Sequence, residues 1–120
     1  VRYFTRKGDP KLFSCSCGEC DVAPTTQLLF MLDDARSKAG IPFVVSSGPR
    51  CPTYNKEVGG SPASDHLLGQ AADIQCSNST QRYTMMKAGL EAGFTRIGIS
   101  SAFIHLGYST ASPYPSVWLY

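Results

Sequence analysis

The sequence predicts an α+β domain, a small antiparallel sheet with flanking helices. Two stretches, "TTQLLFMLDDARSKAG" and "SNSTQRYTMMKAGLEAG", space their apolar residues as helices do, and short β-rich runs separate them. The last two of those runs, at about 94–99 and 102–108, are joined by a turn too short for a parallel crossover, so they pair as a hairpin. With 120 residues, 42% of them hydrophobic and 17% charged, the chain suffices for one domain with its own core.

Residues 1–24 read as an irregular lead, punctuated by Gly8, Pro10, Gly18 and Pro24. Thr25 or Thr26 then caps a helix whose Leu28, Leu29, Leu32 and Ala35 share a face, and Gly40 ends it. "IPFVVSS" at 41–47 is a short buried strand. "GPRCPTYNKEVGGSPAS" follows as a long polar turn region, and a loop of that length in a compact domain is often functional. "GQAADIQC" is a second strand, its small residues allowing close approach. The second helix turns Tyr83, Met85 or Met86, and Leu90 inward and stops at Gly93, its methionines filling core space. After the hairpin, "SVWLY" closes the chain as an edge strand or a packed tail.

Several function classes are poorly served by this composition. No low-complexity tract, repeat or run of like charge argues for disorder or a solenoid. No apolar stretch approaches the roughly 18 residues of a membrane span, and the N-terminus does not read as a signal peptide. The net charge is +2, and Arg2, Arg6, Lys7 and Lys11 form only a loose group. Nucleic-acid binding wants a basic stripe with interleaved aromatics, so a solvated surface is the expectation. A monomer is expected.

Five cysteines leave two readings open. Cys15, Cys17 and Cys20 form "CSCGEC", a spacing compatible with a zinc knuckle that needs a fourth ligand. Cys51 or another cysteine can supply it only through the fold. Disulfides or buried thiols are the preferred reading, and the odd count leaves one thiol over within a monomer.

The two histidines carry the chemistry. His66 lies seven residues before Asp73, with Gly69, Ala71 and Ala72 between them, small enough for the backbone to fold around an ion. His105 sits in "FIHLG", where strand alternation puts Phe103 and His105 on one face and Ile104 and Leu106 on the other. Two imidazoles and a carboxylate suit a catalytic zinc, which takes three protein ligands and keeps a fourth position for water. On residue types alone, a turn-capping His66 and a sheet-buried His105 remain the commoner outcome.

The motifs decide more. "SGPRCPTYNKEVGGSPASDHLLGQAADI" resembles the zinc D-Ala-D-Ala carboxypeptidase family of bacteria and phages, whose fold is shared with the hedgehog signalling domain and the lysostaphin-type peptidases. The family's SGYR-like, N-x-x-V-G-G, S-x-H-x-x-G-x-A-x-D-I and F-[IV]-H-[VL]-D segments are matched by Ser47–Arg50, Asn55–Gly60, Ser64–Ile74 and Phe103–Gly107. The resemblance covers nearly all of the chain after residue 12.

It implies a hedgehog/D-Ala-D-Ala peptidase-like fold and one Zn2+ held by His66, Asp73 and His105. It gives Arg50 a substrate carboxylate or an oxyanion to hold, with ordering of its own loop as the plainer role, and gives Ser64 either the peptide or its own turn. Tyr54 joins them as a candidate substrate contact. Asp65 falls where family members vary and is expected to face solvent. The proton-transferring acid is missing: relatives carry it three residues before the last histidine or two after, where this chain has Ala102 and Gly107. Glu57 is the leading replacement, with Glu19, Tyr54 and Tyr108 behind it. The implied activity is hydrolysis of an amide bond in peptidoglycan stem peptides, of carboxypeptidase or endolysin type, at the bacterial cell wall. The alternative is a zinc-containing peptide- or wall-binding module on the same scaffold.

Overall fold

The computed structural model describes residues 1–112 and 114–120. Its helices are α1 (Pro10–Phe13), α2 (Thr26–Ala39), α3 (Pro52–Glu57) and α4 (Ser79–Glu91). Its strands are β1 (Val45–Ser47), β2 (Ala71–Gln75), β3 (Arg96–Ile99), β4 (Phe103–Gly107) and β5 (Ser116–Leu119), and a 3-10 turn spans Asp65–Leu68.

The five strands form one sheet in the order β1-β2-β4-β3-β5. The first four pair antiparallel, as the hairpin logic requires. β5 adds to the edge in parallel with β3, which makes the sheet mixed rather than purely antiparallel. The reason lies in where the chain turns. β4 ends with Gly107 beside Arg96, and β5 starts with Ser116 beside the same Arg96, so the chain re-enters from the end at which β3 begins.

Local chemistry sets the helix ends. Thr25 Oγ1 accepts the Leu28 N–H at 3.1 Å and starts α2, and Gly40, at φ 68°, stops it. Asn78 caps α4 through the Gln81 N–H at 2.9 Å. Leu28, Leu32 and Ala35 from α2, with Met85 and Ala88 from α4, cover one face of the sheet, built by Ala72, Ile74, Ile97, Ile104 and Leu106. Helix α4 comes close because Gly89 carries no side chain; a Cβ there would lie 2.7 Å from Leu106 Cδ2. Since α4 faces its neighbours through Met85, Ala88 and Gly89, Tyr83 (68% exposed) and Leu90 (50%) point away from the core, contrary to expectation.

The lead is less irregular than its glycines and prolines suggest. It contains α1, and Phe4 and Leu12 are buried in the domain. Gly48 packs against the Lys11 carbonyl, and Gly69 against that of Ala23. Gly69 therefore serves close packing and its own left-handed turn closure rather than wrapping around an ion. The long polar region is likewise part-helical, containing α3 and running into the 3-10 turn. No helix among the described residues is long and apolar enough to cross a membrane.

Candidate metal centre

The sheet's second face carries the site. Register places Ser47, Asp73, His105, Gly98 and Trp118 side by side in one row across β1, β2, β4, β3 and β5. Asp73 and His105 are thus cross-strand neighbours, and alternation turns Ile104 and Leu106 to the helices, as expected. His66 arrives from the 3-10 turn, which Ser64 opens by accepting the His66 N–H at 3.2 Å and Gly69 closes at φ 67°.

Three donor atoms converge. Asp73 Oδ1 lies 3.2 Å from His66 Nε2 and 3.0 Å from His105 Nδ1, and all three side chains are buried. The three ligand atoms fall within 4.8 Å of one another. His66 Nδ1 donates to the Gly48 carbonyl at 2.7 Å, which leaves the Nε2 lone pair aimed at the centre. His105 is turned the other way. Its Nδ1 faces the centre, and its Nε2 is buried without a hydrogen-bond partner among the described residues, 3.8 Å from Asp65 Oδ2. An imidazole that ligates through Nδ1 keeps its proton on Nε2, facing that carboxylate. The donor set and its outer support fit zinc.

The charges agree with this placement. Burial works to raise the Asp73 carboxyl, but contacts with His105 and His66 outweigh it and hold the group well below the carboxylate range. Burial also opposes ionisation of Asp65, and His105 and Arg96 overcome it; the Arg96 Nε donates to Asp65 Oδ2 at 2.8 Å. His66 is pushed down by burial. His105 is raised, because Asp65 and Asp73 together outweigh its burial.

A cavity of about 600 Å³ opens over His66, Asp73 and His105. Arg50, Ser64, Arg96, Phe103, Trp118 and Tyr120 are among the residues that border it. The peptidase M15 family model matches residues 2–107. The chain belongs to the peptidase M15 family. This is a family of zinc-dependent, D-Ala-D-Ala carboxypeptidase-like peptidases. No curated protein matches the chain.

Around this M15 centre, the expected site residues divide. Arg50 reaches it: Nη2 lies 3.5 Å from Asp73 Oδ2, while Nε and Nη2 donate to Ser47 Oγ and Nη1 to Asn55 Oδ1. Asn55 is buried and donates to the Ser61 carbonyl at 2.9 Å, so Arg50 also orders the glycine-containing loop. Ser64 lines the cavity while capping the turn. Glu57, the expected base, is exposed at the end of α3 and lies outside the cavity lining. Glu19 is exposed, Tyr54 is half-buried within α3, and Tyr108 pairs with Thr25 Oγ1 at 2.6 Å; none of them lines the cavity.

The largest correction concerns Asp65. It is 4% exposed and faces the site rather than solvent, because the 3-10 turn wraps both Asp65 and His66 inward. A Cβ on Gly107 would lie 3.0 Å from His105 Nε2 and 3.1 Å from Asp65 Oδ2. Asp65 thus delivers a carboxylate to the place where an acid at 107 would point. Arg96, Trp118 and Tyr120 were also missed. Alternation in "RIGI" and "VWLY" marks them as sharing faces, but only the β3–β5 pairing turns those faces onto the cavity. Gly98 makes room there: a Cβ would lie 2.7 Å from Trp118 Nε1 and from Tyr120 Cε2.

Proposed function

We propose that this M15 domain hydrolyses an amide bond in the stem peptides of bacterial peptidoglycan, with one zinc ion held by His66, Asp73 and His105, and acts at the cell wall. The observation that carries this reading is the open side of a three-donor centre facing a cavity of peptide size. Zinc bound there supplies Lewis acidity to water and to the scissile carbonyl.

The chain's own residues have separable tasks. The Gly48 carbonyl holds the outer nitrogen of His66, and Asp65 faces that of His105 at 3.8 Å, so each imidazole turns its other nitrogen to the centre. Arg96 neutralises Asp65 and keeps it in place. Arg50 and Arg96 both line the cavity, and their positive charge is suited to the carboxylates of a stem peptide. Phe103, Trp118 and Tyr120 form an aromatic wall against which small alanine side chains can pack.

The test is mass spectrometry of soluble fragments and new termini after the zinc-loaded protein is incubated with purified peptidoglycan, with a chelated sample beside it. Chelator-sensitive release of D-alanine or of a new amine supports the peptidase and identifies its bond. A second reading, a zinc-containing wall-binding module, is favoured by Ala102 and Gly107, which leave β4 and its preceding turn without an acid. No cleavage across several peptidoglycan types, with zinc bound, would select it.

A further inference from the structure

We propose that Cys15, Cys17, Cys20 and Cys51 bind a second zinc ion, in a closed structural site separate from the His/Asp centre. The lead and the start of α3 bring the four sulfurs together although 30 residues of sequence lie between Cys20 and Cys51. All four lie within 4.8 Å of one another. Cys17 and Cys20 are 3.4 Å apart, and Cys51 is 3.9 Å from both Cys15 and Cys17. Four sulfurs placed tetrahedrally around zinc at about 2.3 Å stand about 3.8 Å from one another. The observed separations surround that value.

Backbone groups support the sulfurs as ligands. The Glu19 N–H donates to Cys17, the Cys51 N–H to Cys15 and the Tyr54 N–H to Cys51, each at 3.4 Å. Such bonds orient sulfur lone pairs and stabilise thiolate charge. Gly18, at φ 74°, supplies the left-handed residue that closes the Cys17–Cys20 loop. The fifth cysteine stands apart: Cys76 is buried in the core and contacts the Asn78 carbonyl. The odd count thus resolves into four clustered thiols and one core thiol.

Four thiolates in so small a volume repel one another without a cation, and a divalent ion with four protein ligands has no position left for substrate. The ion would therefore hold structure, tying the lead to the first residue before α3. Cys51 adjoins Arg50, so the same ion would brace the loop that carries Arg50 to the cavity.

The decisive material is a His66→Ala/His105→Ala variant, which removes the His/Asp centre and leaves every cysteine in place. Protein purified without chelator should hold about two zinc ions per chain in the wild type and about one in this variant. After exchange with cobalt, the variant should show the intense sulfur-to-cobalt charge-transfer absorption that only thiolate ligands give. A Cys17→Ser/Cys20→Ser variant should lose one zinc and that absorption; if it fails to fold, the cobalt spectrum of the histidine variant decides alone. Absence of metal from the histidine variant overturns the proposal. So does an intact mass short of the hydrogens lost to two disulfides, Cys17–Cys20 and Cys15–Cys51. Unchanged zinc in the histidine variant would instead count against the His/Asp reading, so the two failures are distinct.

Discussion

The cysteine cluster and the His/Asp centre differ in the number of donors they bring and in what stands behind each donor. The cysteines bring four sulfurs from two segments near the surface, backed by backbone N–H groups. The His/Asp centre brings three donors from a turn and two adjacent strands, backed by the Gly48 carbonyl and by Asp65. Four donors complete a shell, whereas three leave a side facing the cavity. The difference teaches that donor count separates a site that holds from a site that reacts. Outer support then separates a site that merely binds from one in which each imidazole is locked to a single nitrogen.

The comparison breaks first at His66. His66→Ala should reduce peptidoglycan cleavage to background and remove one zinc per chain, while the sulfur cluster keeps its metal. Full zinc content in that variant would remove His66 from the ligand set. The next largest effect belongs to Asp65. Asp65→Asn should cost about 10- to 100-fold in metal affinity or activity, read by competition with a chromophoric chelator and by turnover. Gly107→Asp alone should not help, because its carboxylate meets that of Asp65; joined to Asp65→Ala, it should recover part of the loss. An unchanged Asp65→Asn would mean that His105 needs no outer carboxylate.

Gly98→Ala tests the cavity wall rather than the ligands. Its Cβ would collide with Trp118 and Tyr120, and overpacking of this kind costs about 1–3 kcal/mol. Thermal unfolding should show the loss with zinc content unchanged, and KM should rise more than kcat falls.

Acid sharpens the comparison further in the metal-free protein. Asp73 and Asp65 both titrate lower in the folded chain than an unfolded aspartate, which titrates near about 3.9. Their contribution to stability is present above that pH and is lost as pH falls through their folded values. Denaturant unfolding at a series of pH values should show this decline, and Asp73→Asn should flatten it.

The smallest effect concerns reactivity in the stripped sulfur cluster. The Glu19 N–H, then the Cys20 and Cys15 thiols, lower Cys17 to about 7. Cys20 rises to about 12, where desolvation and the neighbouring thiols outweigh the Val22 N–H. Peptide mapping after brief alkylation at neutral pH should find Cys17 modified before Cys20. The reverse order would place the thiolate elsewhere.

Short-range chemistry explains what was legible. The caps at Thr25 and Gly40, the hairpin of β3 and β4 and the inward turn of Ile104 and Leu106 depend on residues a few positions apart. The spacing of His66, Asp73 and His105 was legible through its motifs, and the structure brings those side chains together. A carboxylate in a polar loop, as the sequence presents Glu57, is free to fold over a site; helix α3 directs it to solvent instead. The polar loop around Asp65 predicts a surface position, and nothing local reveals that the 3-10 turn buries it. Tyr83 and Leu90 face outward, against their spacing, because α4 seats itself through Gly89.

By itself, then, the sequence determined the α+β class, the extents of α2 and α4, the convergent trio of His66, Asp73 and His105 and the cysteine spacing. Those features follow from backbone periodicity and from residue chemistry at fixed separations. Tertiary structure alone decided the parallel edge strand, the carboxylate behind His105, the Trp118 and Tyr120 wall and the union of Cys51 with the lead. Each of these joins segments far apart in the chain, through strand register or a close backbone approach at Gly48, Gly98 or Gly107, and no local pattern encodes such meetings.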